Sequence, residues 1–178
     1  MNIIIRQEQI EDYTTTEKIV QTAFKGMELS DEKEHELVAR IRRSEVFIPA
    51  LSLVAVHENT KEIIGHILLS ELKIVNQEHA VQSLVLAPVS VLPEYQNEGI
   101  GKRLINEALN KARELGYQSV VVLGHPEYYP KFGFEKTSLY GIKPPFEVPD
   151  EAFMVLPLEE HALDNVSGVV EYPSVFFE

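Results

Sequence analysis

From residue 96 the chain reads Gln-Asn-Glu-Gly-Ile-Gly-Lys-Arg, two glycines one residue apart followed by two cations, where an apolar run gives way to a helical pattern. A helix start presents N–H groups without intrahelical acceptors and the positive end of the macrodipole, and glycines there let an anion approach the backbone closely. The junction can cradle a phosphate; a plain strand-to-helix turn would use the same two glycines. Spacing excludes two phosphate loops. A P-loop needs glycine where Gln96 stands and Ser or Thr where Arg103 stands, and a dinucleotide fingerprint needs a small residue where Leu104 stands. What survives is Gln-x-x-Gly-x-Gly directly after an apolar stretch that contains Pro88.

Other side chains could move protons. Glu71, near the end of an apolar strand, can take a proton directly or through water, although a carboxylate on an exposed strand face is commonly just solvated. His125, beside Pro126, follows a strand of the buried parallel kind, and ligands of open α/β sheets bind at the C-terminal ends of such strands. His66 lies inside an apolar strand and reads as a satisfied histidine of a packed face.

The elements that must position these groups follow from periodicity. Residues 3–6 form a short strand, and Ile10 to Lys25 a helix ended by Gly26, with Ile19, Val20, Ala23 and Phe24 on its apolar face. Ser30 can cap a second helix that carries Leu37, Val38 and Ile41. Residues 51–57 and 62–74 read as strands joined by a turn over Glu58–Glu62, a hairpin. A fourth strand runs over 81–93; Pro88 cannot donate to a ladder, so this strand should lose a neighbour midway. The strongest helix spans about 99–115, with Ile100, Leu104, Ile105, Ala108, Ala112 and Leu115 on one stripe and Gly116 as the stop. "SVVVL" at 119–123 is then a buried strand parallel to the one before the helix, a βαβ unit. Beyond it stand a short helix bounded by Pro126 and ended near Gly133, a strand from Phe134, a proline-rich loop and a strand at 152–159. The tail "GVVEYPSVFFE" is apolar enough to dock or pair.

Composition narrows the partners. The 178 residues suit one domain with its own core, and 44% hydrophobic with 25% charged is ordinary for a soluble globular chain. Sixteen Lys and Arg against 28 Asp and Glu give a formal charge of −12, which repels nucleic acid and anionic membranes as a whole yet permits a local anion pocket. With no cysteine there is no disulfide, thiolate metal site or thiol nucleophile. The early charge at Arg6 and the lack of a long apolar run make the expectation a cytoplasmic protein without signal peptide or spanning helix, and no metal is expected.

Gln96, Gly99 and Gly101 meet the (Gln/Arg)-x-x-Gly-x-(Gly/Ala) form of the acyl-CoA pyrophosphate site, and the chain here resembles the GNAT superfamily of N-acetyltransferases. A second element agrees: in "YYPKFGFEK" a tyrosine, Tyr129, stands four residues before the glycine of the pair Gly133-Phe134, in the family's order. The wider string "LAPVSVLPEYQNEGIGKRL…VVVLGHPEYYPKFGF" is similar to a small bacterial subgroup of acetyltransferases. The resemblance implies an α/β (α+β) fold, a single mixed and mostly antiparallel sheet flanked by helices with a splayed parallel strand pair at its centre. It implies one domain over 1–178, with a core of about 3–159 and a C-terminal extension over 160–178. It implies acetyl-CoA as cosubstrate and a primary amine as acceptor.

Residue by residue, the resemblance implies that backbone groups of Val89 and Val91 pair with the pantetheine amides and that the Val89 or Ser90 amide stabilises the oxyanion. The pyrophosphate would sit over the amides of Asn97, Glu98, Gly99, Ile100, Gly101 and Lys102, beside Gln96, with Lys102 or Arg103 adding charge. Tyr129 becomes the proton donor to sulfur and Tyr128 a wall of the cofactor site. The base remains open between Glu71 and His125, directly or through water. A non-catalytic acyl-CoA sensor of the same fold is the alternative, distinguished by not depending on Tyr129. The acceptor is not encoded legibly, and the tail segment "SVFF" could pair with a second subunit as a homodimer or fold back.

Overall fold

The computed structural model describes residues 2–28 and 30–178. They gather into two compact units, one drawn from the residues up to Ser70 with Ala87–Lys111 and Val175–Glu178, the other from Glu71–Leu86 and Ala112–Ser174.

In the first unit β1 (Ile3–Gln7), β2 (Ser52–His57) and the first half of β3 (Ile63–Val75) form an antiparallel ladder, with Ile5 opposite Ala55 and Ser52 opposite Leu68. The β2–β3 connection is the expected hairpin, closed by His57 N–H donating to the Glu62 carbonyl at 2.8 Å. α1 (Tyr13–Phe24) and α2 (Glu34–Arg42) bury one face each, and Val20, Val38 and Ile41 meet Leu68 of β3 in one apolar cluster. Each such side chain taken from water stabilises the unit by roughly 1.5–3 kcal/mol.

The predicted helix from Ile10 begins instead with a 3₁₀ turn over Ile10–Asp12. Asp12 is committed there: it accepts from the Gln9 N–H at 2.8 Å and from both Arg6 guanidinium nitrogens at 2.7 and 3.2 Å. Ser30 does not cap α2. Lys33 holds that position, while the Ser30 hydroxyl lies 2.7 and 2.6 Å from the two Glu34 carboxylate oxygens and accepts from the Glu32 N–H at 2.8 Å, so the helix starts a turn later than expected.

α3 (Ile100–Glu114) matches the strongest periodicity in the chain: Ile100, Leu104, Ile105, Ala108 and Ala112 are all buried. Leu115, expected on the same stripe, lies past the helix end and is 44% exposed, because Gly116 turns the chain at a φ of +88°. Gly65 of β3 carries no side chain for a spatial reason: a Cβ there would stand 3.0 Å from the Ser90 carbonyl oxygen and 3.1 Å from Leu104.

In the second unit, the rest of β3 turns through Asn76–His79 into β4 (Ala80–Val91), and the Asn76 N–H donates to the His79 carbonyl at 2.9 Å. β4 runs parallel to β5 (Ser119–Leu123), with Leu84 opposite Val120 and Val85 opposite Val121, ahead of Pro88. The Ser83 and Ser119 hydroxyls, 2.7 Å apart, fasten the start of that ladder. β6 (Glu135–Lys136) and β5 flank β8 (Phe153–Pro157), both antiparallel to it. The tail supplies β9 (Gly168–Glu171), antiparallel to β3 through Lys73 and Glu171 and parallel to β7 (Ile142–Lys143). The result is a mixed, mostly antiparallel sheet with helices, containing the parallel β4–β5 pair. Val175 and Phe176 fold back onto the α1–α2 cluster of the first unit, and Phe177 stays exposed.

Candidate active site

The glycine junction lies in the first unit, where β4 ends and α3 begins. A 3₁₀ turn over Pro93–Tyr95 leads from the strand, and the Gln96 side-chain amide donates back to the Val91 carbonyl at 3.1 Å. Asn97 and Gly99 take left-handed backbone at φ +65° and +81°, conformations that Asn tolerates and Gly adopts freely. The Arg103 N–H makes the first helical bond, to the Gly99 carbonyl at 3.1 Å. The amides of Gly99, Ile100, Gly101 and Lys102 are therefore the orphan donors of a helix start, and Gln96 to Gly99 are exposed. Both cations are exposed, and Arg103 donates to the Ile3 carbonyl at 3.0 Å, tying α3 to β1. Upstream, Val89 and Val91 are half-buried and Ser90 is buried, its hydroxyl without a partner among the described residues.

Tyr128 and Tyr129 lie in the second unit. Tyr129 opens a 3₁₀ turn over Tyr129–Phe132 that Gly133 ends at φ +100°, the short helix expected after Pro126. Tyr129 is 9% exposed, and its ring meets Tyr128 and Phe134 edge-on, at centroid distances of 5.1 and 5.7 Å. Burial, with a smaller contribution from Tyr128, pushes its phenol up to about 12. Burial also raises the half-buried Tyr128. Gly124, which sequence reasoning passed over, lies against the Tyr129 ring: its missing side chain is the space that the ring fills. A glycine directly between a buried strand and a His-Pro pair was the available signal.

The candidates for the base are placed differently. Glu71 lies on β3, half-buried, and its carboxylate accepts from the Gln82 side-chain amide. His125 is exposed and acts in a turn: its Nδ1 accepts from the Glu127 N–H at 3.2 Å, and its carbonyl accepts from the Tyr128 N–H at 3.1 Å. A neutral imidazole has one acceptor nitrogen, and here that nitrogen is occupied.

His66 is fully buried in the first unit with its Nε2 3.0 Å from the Ser52 hydroxyl, which donates to Glu8 at 2.8 Å. Glu8 pairs in turn with the buried Arg42, whose guanidinium also bonds Glu17 at 2.9 Å and lies 4.0 Å from the Tyr13 ring centroid. Burial, then the Arg42 charge, drive the His66 imidazole down to about 3, so it stays neutral and structural. This chain of ionisable groups was invisible in the sequence, because Glu8 and Arg42 share no periodic pattern. Among the described residues, no group of three or more His, Asp or Glu stands close enough to hold a metal ion.

Residues 8–134 match the Acetyltransferase (GNAT) family, a span that includes the Gln96–Gly101 junction, Tyr129 and Phe134. The chain belongs to the GNAT family. A relative named as an uncharacterised N-acetyltransferase, YjhQ of Escherichia coli K12, is 40% identical over 67% of this chain, and the match spans 65% of that relative's length. The E. coli K12 N-acetyltransferase YhbS, also named as uncharacterised, is 32% identical over 71% of this chain and 74% of its own length. Among solved GNAT structures, YhbS from E. coli in complex with CoA superposes with a TM-score of 0.89 at 28% identity, covering 100% of this chain and 93% of that one. A GNAT acetyltransferase from Brucella melitensis in complex with acetyl-CoA gives a TM-score of 0.80 at 31% identity, covering 98% of each chain.

Proposed function

We propose that this protein moves the acetyl group of acetyl-CoA onto a primary amine of a small molecule or protein. The observation that carries the reading is the exposed Gln96–Gly99 segment between β4 and α3, with its left-handed Gly99 and the orphan amides of the helix start that follows. Solved GNAT relatives with CoA and acetyl-CoA bound support the choice of donor.

In this reading acetyl-CoA supplies an activated thioester, and the chain's own groups hold it and handle protons. The amides of Asn97 through Lys102 receive the pyrophosphate, and Lys102 adds charge, since Arg103 is engaged by Ile3. Backbone groups of Val89 and Val91 pair with the pantetheine amides, and Tyr128 walls the cofactor. Glu71 takes the ammonium proton, directly or through water, so that the amine attacks neutral. We prefer it to His125, whose acceptor nitrogen holds the Glu127 amide. The Val89 or Ser90 amide faces the charge that develops on the carbonyl oxygen. As the C–N bond forms and the C–S bond breaks, Tyr129 presents its phenolic proton to the departing sulfur.

The same reading takes 1–178 as one catalytic domain, with 160–178 as its extension, working in the cytoplasm. No helix among the described residues is long and apolar enough to cross a membrane.

The test is Tyr129→Phe. Acetyl-CoA affinity should stay within a few-fold while turnover falls by roughly 10²–10⁴-fold, the usual weight of a positioned acid. Unchanged turnover removes Tyr129 from the role. A mass-spectrometric screen of amines with acetyl-CoA identifies the acceptor, and tight CoA binding with no transfer to any of them would make the protein a sensor instead.

A further inference from the structure

Gly124 follows β5 directly, and its backbone does not demand glycine: the glycines with positive φ are Gly26, Gly99, Gly116, Gly133, Gly141 and Gly168. The φ of Gly124 lies outside the region that L side chains rarely adopt. What excludes a side chain is the Tyr129 ring. A Cβ on residue 124 would stand 2.3 Å from Cε2, 2.8 Å from Cδ2 and 3.3 Å from Cζ of Tyr129, where ordinary contact begins at 3.4 Å.

The backbone at this point is held on its other side. The Gly124 N–H donates to the Ala152 carbonyl at 2.9 Å, and the preceding Leu123 lies opposite Phe153 in the β5–β8 ladder. The ring is the part free to yield, and it has Tyr128, Phe132 and Phe134 as neighbours at centroid distances of 5.1, 6.4 and 5.7 Å. Restoring ordinary contact means moving the phenol by about 1 Å, the scale of misplacement that costs an enzyme roughly 10²-fold in rate.

We propose that Gly124 is a positioning residue for acyl transfer, its absent side chain defining where the Tyr129 hydroxyl stands. This rests on the reading of Tyr129 as the acid, and the experiment separates the two. Turnover number and acetyl-CoA dissociation constant are measured for the wild type, Tyr129→Phe, Gly124→Ala, Tyr129→Ser and the double variant Gly124→Ala/Tyr129→Ser. The expectation for Gly124→Ala is a turnover number lowered by about 10²-fold with acetyl-CoA affinity within a few-fold. In the Tyr129→Ser background, where the ring is gone, the same alanine should change nothing further.

A Gly124→Ala variant with wild-type turnover beside a crippled Tyr129→Phe would overturn the inference and leave the acid in place. Wild-type turnover in Tyr129→Phe would overturn both. An additive loss in the double variant would show that Gly124 acts through something other than the ring, and would equally overturn the inference. Should Gly124→Ala alone fail to fold, the double variant decides: melting at the temperature of Tyr129→Ser supports the ring-space argument, and melting well below it refutes that argument.

Discussion

Tyr129 is a weak acid made weaker by its surroundings. A phenol held at about 12 stays protonated throughout the physiological range, while a free thiol ionises near ~8.5. In the acid role proposed for it, outright transfer to a thiolate would therefore run uphill, and the side chain would do more by sharing its proton with charge developing on sulfur than by releasing it early. The turnover-number profile should then show no tyrosine ionisation below about pH 10. An alkaline limb near pH 9 that vanishes in Tyr129→Phe would contradict this. His66 makes the complementary case. Its folded-state pKa is depressed to about 3, so below its ordinary value the unfolded chain binds a proton that the folded chain refuses. Its contribution is intact above about pH 6.5 and is lost as the pH falls toward 3, by about 1.4 kcal/mol per pH unit. Urea unfolding of His66→Gln should show a shallower acid loss than the wild type across that window; equal slopes would refute the assignment. The residues with a motif around them, Gln96, Gly99 and Tyr129, were legible in the sequence. Glu8, Arg42 and Gly124 were not, since their meaning comes from distant partners and from space rather than spacing.

At the scale of elements, legibility followed periodicity. β5 lies where the run of valines put it, and α3 differs from the predicted helix by a residue at each end, because a continuous buried stripe and a glycine stop leave few alternatives. Apart from the short helix at Tyr129–Phe132, the 3₁₀ turns escaped prediction, as did the late start of α2 and the partners of the tail, because each depends on which group supplies a hydrogen bond. The contact between α3 and β3 offers a direct test. Alanine at Gly65 meets a backbone carbonyl at 3.0 Å and Leu104 at 3.1 Å, so the helix or the strand must give way. Overpacking of this kind costs about 1–3 kcal/mol, readable as a lowered urea midpoint at unchanged slope. A Gly65→Ala protein as stable as the wild type would mean that Leu104 simply changes rotamer.

For the whole molecule, the expected measurement is ligand-dependent stability. A ligand bound only by the native state adds about 2.7 kcal/mol at a hundred times its dissociation constant. Acetyl-CoA and CoA should therefore raise the melting temperature, and Mg-ATP should not, since the chain lacks the residues of a P-loop. A comparable shift with Mg-ATP would count against the donor proposed here. The chain's charge of −12 makes this a demanding test, because a polyanionic ligand must find a local patch of amides on a molecule that repels it overall.

The pairing of β9 with β3 also has a meaning in time. Lys73 finds its partner Glu171 roughly a hundred residues later, and the Arg40 side chain waits longer still for the Val175 carbonyl, 2.9 Å away in the finished fold. During synthesis the end of β3 is a bare strand edge and the α1–α2 cluster lacks Val175 and Phe176 until the tail leaves the ribosome. Until residues 168–176 are made, the nascent chain is thus open to misassociation along that edge and at that cluster, and their docking closes both.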